Sequence, residues 1–231
     1  MKSSALIRWC GLAAILGGAS GILLVPVLTF AGWMEAPGAV ETPPMAWAKI
    51  VEPVVMPLVS FGTAEDAYYL YGRMVFPIYL LFLLGLLGLR ARLALRAHRP
   101  AERAFRIALV GISMNLAGNV SDYWLGREVL GQYLWGFGFM IGTLIGTLVY
   151  STGAVLLGRI VLQTNSLPRW SGWALVAAPV LGISLAFWGV YYTPANFILG
   201  NSLGWMAVGY VLWSGKRDAA HRTMRHAESA S

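Results

Sequence analysis

The chain has 231 residues, of which 58% are hydrophobic and only 12% are charged, against roughly 25% charged residues in typical soluble domains. This composition excludes an ordinary water-soluble globule, and the net charge of +7 is informative only through its distribution along the chain. The single cysteine, Cys10, excludes an internal disulfide and a multi-cysteine metal site.

Six apolar segments are long enough to cross a membrane, which takes about 20 residues for a hydrocarbon core of roughly 30 Å. They lack the alternation of barrel strands, so helices are the structure that satisfies their backbone in lipid. In chain order they are Leu6 to Phe30, Tyr71 to Leu89, Ala104 to Trp124, Leu134 to Leu156, Trp170 to Tyr192 and Ala195 to Trp213. The sequence therefore predicts an all-α, polytopic bundle over residues 1–214, followed by a disordered polar tail, 215–231.

The basic residues predict the orientation of these six helices. Of the 17 lysines and arginines, only Lys49, Arg73 and Arg127 fall in the segments that lie outside when the N-terminus is cytoplasmic. This asymmetry follows the positive-inside rule. We therefore expect both termini in the cytoplasm of a bacterium, with the protein in the inner membrane. The longest outer connection, about 31–70, contains either a surface helix over Met45 to Val59 or an irregular loop.

The third predicted span carries a polar face. Asn115, Asn119 and Asp122 are spaced i, i+4 and i+7, which places them on one side of a helix. Two interpretations remain open: hydrogen bonds that fix the helices, or a polar cavity for a ligand. Asp122 is expected to be an interfacial charge near Arg127. The other candidates for the lining of such a pocket, all in the outer half, are Tyr191, Tyr192, Asn196 and Asn201.

Glycines repeat every four residues in three of the spans. Such stripes let a second helix backbone approach closely. They consist of Gly138, Gly142 and Gly146 in the fourth span, Gly200 and Gly204 in the sixth, and Gly17 and Gly21 in the first. We expect them to pack helices within the bundle, and a dimerising surface is the alternative.

A basic connection, about 90–103, joins the second and third spans. Five arginines share one face if its helix is continuous, although Pro100 is expected to interrupt it. They are Arg92, Arg96, Arg99, Arg103 and Arg106. A cationic face at this position predicts contact with anionic lipid head groups. The alternative is that these arginines serve only to set the orientation of the helices in the membrane.

Catalytic chemistry is not indicated. Gly18-Ala19-Ser20-Gly21 is similar to an intramembrane serine protease motif, but the three histidines, His98, His221 and His226, all fall in cytoplasmic segments. The same placement excludes a bis-histidine haem within the bundle. We therefore predict no cofactor, no metal and no catalytic residue, and we expect no nucleic-acid partner because no basic folded module is large enough.

Three short motifs resemble a group of six-pass bacterial membrane proteins. They are Arg8-Trp9-x-Gly11-Leu12-Ala13, Tyr71-Gly72-Arg73 and Leu167-Pro168-Arg169-Trp170-x-Gly172. The resemblance covers most of the chain as a hydropathy pattern and implies no activity. Two functions therefore remain open: a small transport or ligand-binding module with a polar outward half, or a non-catalytic subunit or scaffold that forms a homo-oligomer or binds a membrane partner.

Overall fold

The computed structural model describes residues 2–35, 48–94, 98–126, 132–187 and 193–215. Within these ranges the chain forms nine α-helices and no strand, which confirms the all-α prediction. The helices are α1 (Lys2–Glu35), α2 (Ala48–Val59), α3 (Ala64–Arg73), α4 (Val75–Leu93), α5 (His98–Asn119), α6 (Gln132–Phe137), α7 (Gly146–Thr164), α8 (Arg169–Phe187) and α9 (Thr193–Ser214). The predicted tail lies outside the described residues from 216 onward.

Two short π-helical segments extend the helices. The first π segment, Val120–Leu125, continues α5, and the second π segment, Gly138–Ile145, joins α6 to α7. A π turn takes an extra residue per hydrogen-bonded ring and therefore shifts the side chains that follow it around the helix.

Six helices form a closed ring. In order around it, α1 packs against α4, α4 against α5, α5 against α7, α7 against α8, α8 against α9, and α9 against α1. We call the end of the ring at which α1 begins and α4 finishes the basic end. Its described arginines are Arg8, Arg90, Arg92, Arg99, Arg103, Arg106, Arg159 and Arg169. The opposite end, near α2 and α3, is the far end.

Three helical stretches are long and apolar enough to cross a membrane. They are Ser4–Gly32, Ala64–Leu93 and Tyr133–Thr164, with hydropathies of 2.1, 2.0 and 1.7. The chain is therefore a helical bundle of membrane-protein character. Among the described residues, three helical stretches therefore have the length and hydropathy of a membrane span, where the sequence predicts six spans. The helices α5, α8 and α9 complete the ring beside these three.

A proline separates α3 from α4. Pro77 has no N–H, and its ring clashes with the carbonyl group four residues earlier, that of Arg73. The helix accordingly breaks between Arg73 and Val75. This break brings α3 over the far end of the ring, where Tyr68 is buried.

The outer connection contains a helix over part of the predicted range. Although Pro53 and Pro57 lie within α2, the segment is helical from Ala48 to Val59. The buried side chains of α2, Val55 and Val59, join an apolar cluster with Val27, Phe30, Ala31 and Ala67. Residues 36–47 of this connection are outside the described ranges.

An aromatic layer fills the middle of the ring. The rings of Phe82 and Trp205 stack with their centroids 6.2 Å apart, and the indole N–H of Trp205 donates a hydrogen bond to the hydroxyl of Tyr150. All three side chains are almost completely buried. Towards the basic end the interior is filled by aliphatic side chains such as Leu86 and Leu157, whereas towards the far end it becomes polar.

Candidate functional site

A small, largely buried cavity lies in the ring on the far-end side of the aromatic layer. Its volume is about 10 Å³, close to the smallest space that holds one water molecule. We call it the amide cavity. Its polar lining consists of Tyr79, Asn115, Asn119, Tyr123 and Thr143, and its apolar lining consists of Leu28, Val75 and Ile198.

Asn119 gives the amide cavity its most unusual property. Its amide nitrogen donates to the carbonyl oxygen of Gly72 over 2.9 Å, at the helix break produced by Pro77. Its amide oxygen is buried and accepts no hydrogen bond from any residue that the structure describes. Leaving a buried acceptor unsatisfied costs about 1–3 kcal/mol. The cavity therefore presents an acceptor suited to a ligand with an N–H or O–H group.

Asn115 is fully engaged within the protein. Its amide nitrogen donates to the carbonyl oxygen of Gly111 at 3.1 Å, and its amide oxygen accepts from the hydroxyl of Thr147 at 3.0 Å. The second bond joins α5 to α7. Of the two predicted amides, Asn115 thus fixes the position of two helices while Asn119 retains hydrogen-bonding capacity.

Asp122 is buried beneath α3. The sequence predicted an interfacial charge, whereas the residue is only 2% exposed. The hydroxyl of Tyr68 donates to its carboxylate at 3.3 Å and accepts a bond of the same length from the indole N–H of Trp135. The Tyr68 ring also packs against that of Tyr123, with centroids 5.1 Å apart. Arg127, the predicted neighbour, lies outside the described residues.

Arg73 contacts the first π segment through its guanidinium group. Its guanidinium donates through Nε to the carbonyl oxygen of Tyr123 at 2.8 Å and lies 5.4 Å from the ring centroid of Trp124. The contact ties the end of α3 to α5 across the top of the amide cavity. Tyr123 is part of the cavity wall, and Tyr68 and Arg73 both contact it.

The glycine stripe of the fourth span faces α5 within the same chain. A Cβ atom on Gly142 would lie 2.3 Å from the Cα of Gly118, so the two backbones touch. Gly138 and Gly146 likewise have no room for a Cβ against α5. In the sixth span, Gly200 and Gly204 pack against α8 at Ala178. These stripes are covered within the bundle.

The remaining predicted polar residues do not line the cavity. Asn201 and Asn196 are buried on α9, 6% and 0% exposed, but neither contributes to its wall. Tyr191 and Tyr192 lie outside the described residues. The cavity is also lined by Tyr79, Tyr123 and Thr143. Sequence does not single these residues out, because aromatic residues and threonines are common in membrane helices and carry no local signal of a shared cavity.

The arginines that the sequence predicts to contact lipid have different surroundings at the basic end. Glu102 accepts from Arg90 at 2.9 Å and from Arg106 at 3.3 Å, which links α4 to α5. Desolvation raises the pKa of Glu102, but the hydrogen bonds and charges of these two arginines outweigh it and lower the pKa below its usual value. Arg92 lies on α4, Arg96 is outside the described residues, and Arg99 and Arg103 face α7.

The chemistry available at this site is hydrogen bonding. Within the parts of the chain that the structure describes, no three His, Cys, Asp or Glu side chains are placed to hold a metal ion. Searches with protein-family models, among curated proteins and among solved structures gave no significant match to the chain. Function is therefore inferred from the geometry of the amide cavity and its surroundings.

Proposed function

We propose that the protein is a six-pass protein of the bacterial inner membrane that binds a small polar solute in the outward half of its bundle and moves it across the membrane. The far end is the outer face, and both termini are cytoplasmic. Six spans are supported by the lengths of three further helices, α5, α8 and α9, which have 22, 19 and 22 residues. At 1.5 Å per residue each is about 28–33 Å long, enough for the hydrocarbon core.

The observation that carries the proposal is the amide oxygen of Asn119. This acceptor is buried in the ring, has no partner among the described residues and belongs to a residue that lines the amide cavity. Polar groups are costly within a membrane protein unless they are partnered, and those that persist typically line solute or ion paths. A solute with an N–H or O–H donor satisfies this oxygen, and the Tyr79 and Tyr123 hydroxyls supply further hydrogen bonds.

The closed state of the cavity supports a transport cycle with a gate on each side. The aromatic layer of Phe82, Tyr150 and Trp205 separates the cavity from the basic end, while Tyr68 and Tyr123 cover it towards the far end. Both adjoining π segments lie at this level of the ring, and π turns are frequent at functional sites. The closed cavity holds about one water molecule, so a larger solute enters when α3 moves away from α5.

The test is uptake of small neutral solutes by vesicles that contain the purified protein. Stopped-flow light scattering reports water, glycerol and urea entry against protein-free vesicles. We expect faster entry of at least one of them, and a loss of that increase in Asn119→Leu. Ser113→Leu is the matched control, since Ser113 is exposed on the other side of α5. Equal uptake by folded Asn119→Leu and the unaltered protein would contradict the proposal.

The alternative, a non-catalytic subunit or scaffold, has weaker support. It relied on glycine stripes available to a partner, and the contacts of Gly138, Gly142, Gly146, Gly200 and Gly204 are all made within the chain. A partner subunit or second copy would have to use another surface. Native mass spectrometry of the extracted protein measures this directly, because a defined oligomer would favour the scaffold.

A further inference from the structure

A groove of about 550 Å³ opens at the basic end between α5 and α7. It lies on the side of the aromatic layer away from the amide cavity, and its volume falls within the range of ligand sites. The charged and polar part of its wall consists of Arg99, Arg103, Arg159 and Gln163. The apolar part consists of Ala104, Ile107, Leu156 and Ile160. We call it the arginine groove.

The character of the wall changes along the helices. Because Gly153 packs against Ala108 and Gly111 against Tyr150, α5 and α7 are antiparallel with Arg159 level with Arg103. Gln163 is one turn further towards the basic end. From Arg99 to Ile107 the groove extends about 12 Å, since each helical residue advances 1.5 Å. Charge is therefore concentrated at the mouth, where Ile160 also lies, and the deepest lining residues, Leu156 and Ile107, are apolar.

The charge of the groove is not neutralised by its own wall. Its lining includes three arginines and no acidic side chain. The nearby carboxylate, Glu102, does not line the groove and is bonded by Arg90 and Arg106. The arginine guanidinium is always charged and binds phosphate oxygens with paired hydrogen bonds. The mouth of the groove is thus complementary to a phosphate group.

We propose that the arginine groove binds one anionic phospholipid. The phosphate lies between Arg99, Arg103 and Arg159, Gln163 donates to the polar head group, and one acyl chain runs along Ile107, Leu156 and Ile160 towards the membrane interior. A lipid fits better than a free phosphate because the deeper half of the groove has only apolar side chains to offer. This site includes Arg159 and Gln163, which lie outside the basic connection singled out from the sequence.

Native mass spectrometry of the full chain in neutral detergent tests the assignment. The protein is titrated with dioleoyl phosphatidylglycerol, which is anionic, and with dioleoyl phosphatidylcholine, which has the same acyl chains and no net charge. We expect one phosphatidylglycerol to bind preferentially. Arg103→Gln combined with Arg159→Gln weakens that binding about tenfold or more, because each arginine near anionic lipid contributes appreciably to affinity. Equal retention of both lipids overturns the proposal.

The control variant is Arg169→Gln, which removes an exposed arginine at the basic end outside the groove. It should retain the lipid as the unaltered protein does. Arg99→Gln removes a different arginine from the groove and should also weaken phosphatidylglycerol binding. Because the altered arginines are all exposed, the variants should have the same gel-filtration elution volume and melting temperature as the unaltered protein. Unchanged phosphatidylglycerol affinity in the double variant and in Arg99→Gln would overturn the assignment.

Two further binding experiments distinguish a lipid from a soluble phosphate compound. Ile107→Trp fills the apolar half of the groove and should weaken phosphatidylglycerol binding while all three arginines remain. Glycerol 3-phosphate, which has the phosphate without acyl chains, should displace the lipid only at much higher concentration. Displacement at concentrations equal to that of the lipid, or full binding by Ile107→Trp, would contradict the lipid site.

Discussion

Gly72 packs so closely on the ring of Tyr123 that a Cβ atom has no space unless the ring moves. A Cβ atom there would lie 1.9 Å from the ring of Tyr123, and the Gly72 carbonyl oxygen is the acceptor for Asn119. The missing side chain lets α3 lie flat on the first π segment. One small residue therefore places both the tyrosine that covers the amide cavity and the amide that lines it.

Replacing Gly72 by alanine should destabilise the protein by about 1–3 kcal/mol, because overpacking forces the Tyr123 ring to move. Thermal unfolding in detergent measures the effect. Gly136→Ala is the matched control, since a Cβ at Gly136 meets nothing within 4 Å. Equal melting temperatures for the two variants would show that the Tyr123 ring has room to shift at little cost.

Glu102 makes the junction of α4 and α5 sensitive to acid. Desolvation raises the pKa of Glu102, but Arg90 and Arg106 outweigh it and hold the pKa below its ordinary value. A lowered carboxyl pKa contributes stability that is fully present above the ordinary pKa and is lost as the pH falls through the lowered pKa. We therefore expect the melting temperature to fall as the pH drops below about 4.5. Glu102→Gln should reduce this dependence, and an unchanged pH profile would count against the ion pairs.

The helix α3 depends on its N-terminal cap. The hydroxyl of Thr63 accepts from the Asp66 backbone N–H at 3.1 Å, and the Asp66 carboxylate accepts from the Thr63 N–H at 3.0 Å. This reciprocal pair is a capping box. Because Tyr68 is in the next turn, the cap also helps to keep Asp122 covered.

Thr63→Ala should cost about 1 kcal/mol of helix stability and should increase hydrogen exchange in α3. Exchange measured by mass spectrometry on peptides from 64–73 reports the effect. Ser60→Ala, an exposed change in the same connection, should leave exchange unaltered. Protection in Thr63→Ala equal to that of the unaltered protein would mean that packing on α1 alone holds α3.

Sequence predicts where the helices lie better than it predicts which residues their polar side chains bond. The i, i+4, i+7 spacing puts Asn115, Asn119 and Asp122 on one side of α5 because local geometry is enough to determine a helical face. The acceptor for Asn119 comes from 47 residues earlier, and the donor to Asp122 from 54 residues earlier. Neither is encoded in local spacing, and the π segments change the side-chain register without a distinctive sequence signal.

The aromatic layer divides the interior of the bundle into two parts. A polar cavity lies on one side of it and an aliphatic core on the other, and the arginine groove is at the basic end. In the ring, Trp205 contacts α4 through Phe82 and α7 through Tyr150, so one residue links three helices. Under the proposed transport function, this layer is the barrier that a solute in the amide cavity has to pass.

Trp205→Ala should therefore have two effects. Loss of the indole lowers the free energy of unfolding by about 3–5 kcal/mol, and the space it leaves raises solute flux in the vesicle assay. Trp213→Ala removes an exposed tryptophan from the same helix and should change neither quantity appreciably. Unchanged flux in folded Trp205→Ala would locate the barrier elsewhere in the ring.

Closure of the ring between α1 and α9 has a consequence for synthesis. Gly11 and Gly18 of α1 contact the backbone of α9 at Trp213 and Ser202, nearly the whole described chain later. At a translation rate of about 5–20 residues per second, roughly 10–40 s separate the emergence of these two helices from the ribosome. During that interval the glycine face of α1 has lipid or the insertion machinery as its neighbour. The face of α1 that packs on α9 is thus covered much later than the face that packs on α4.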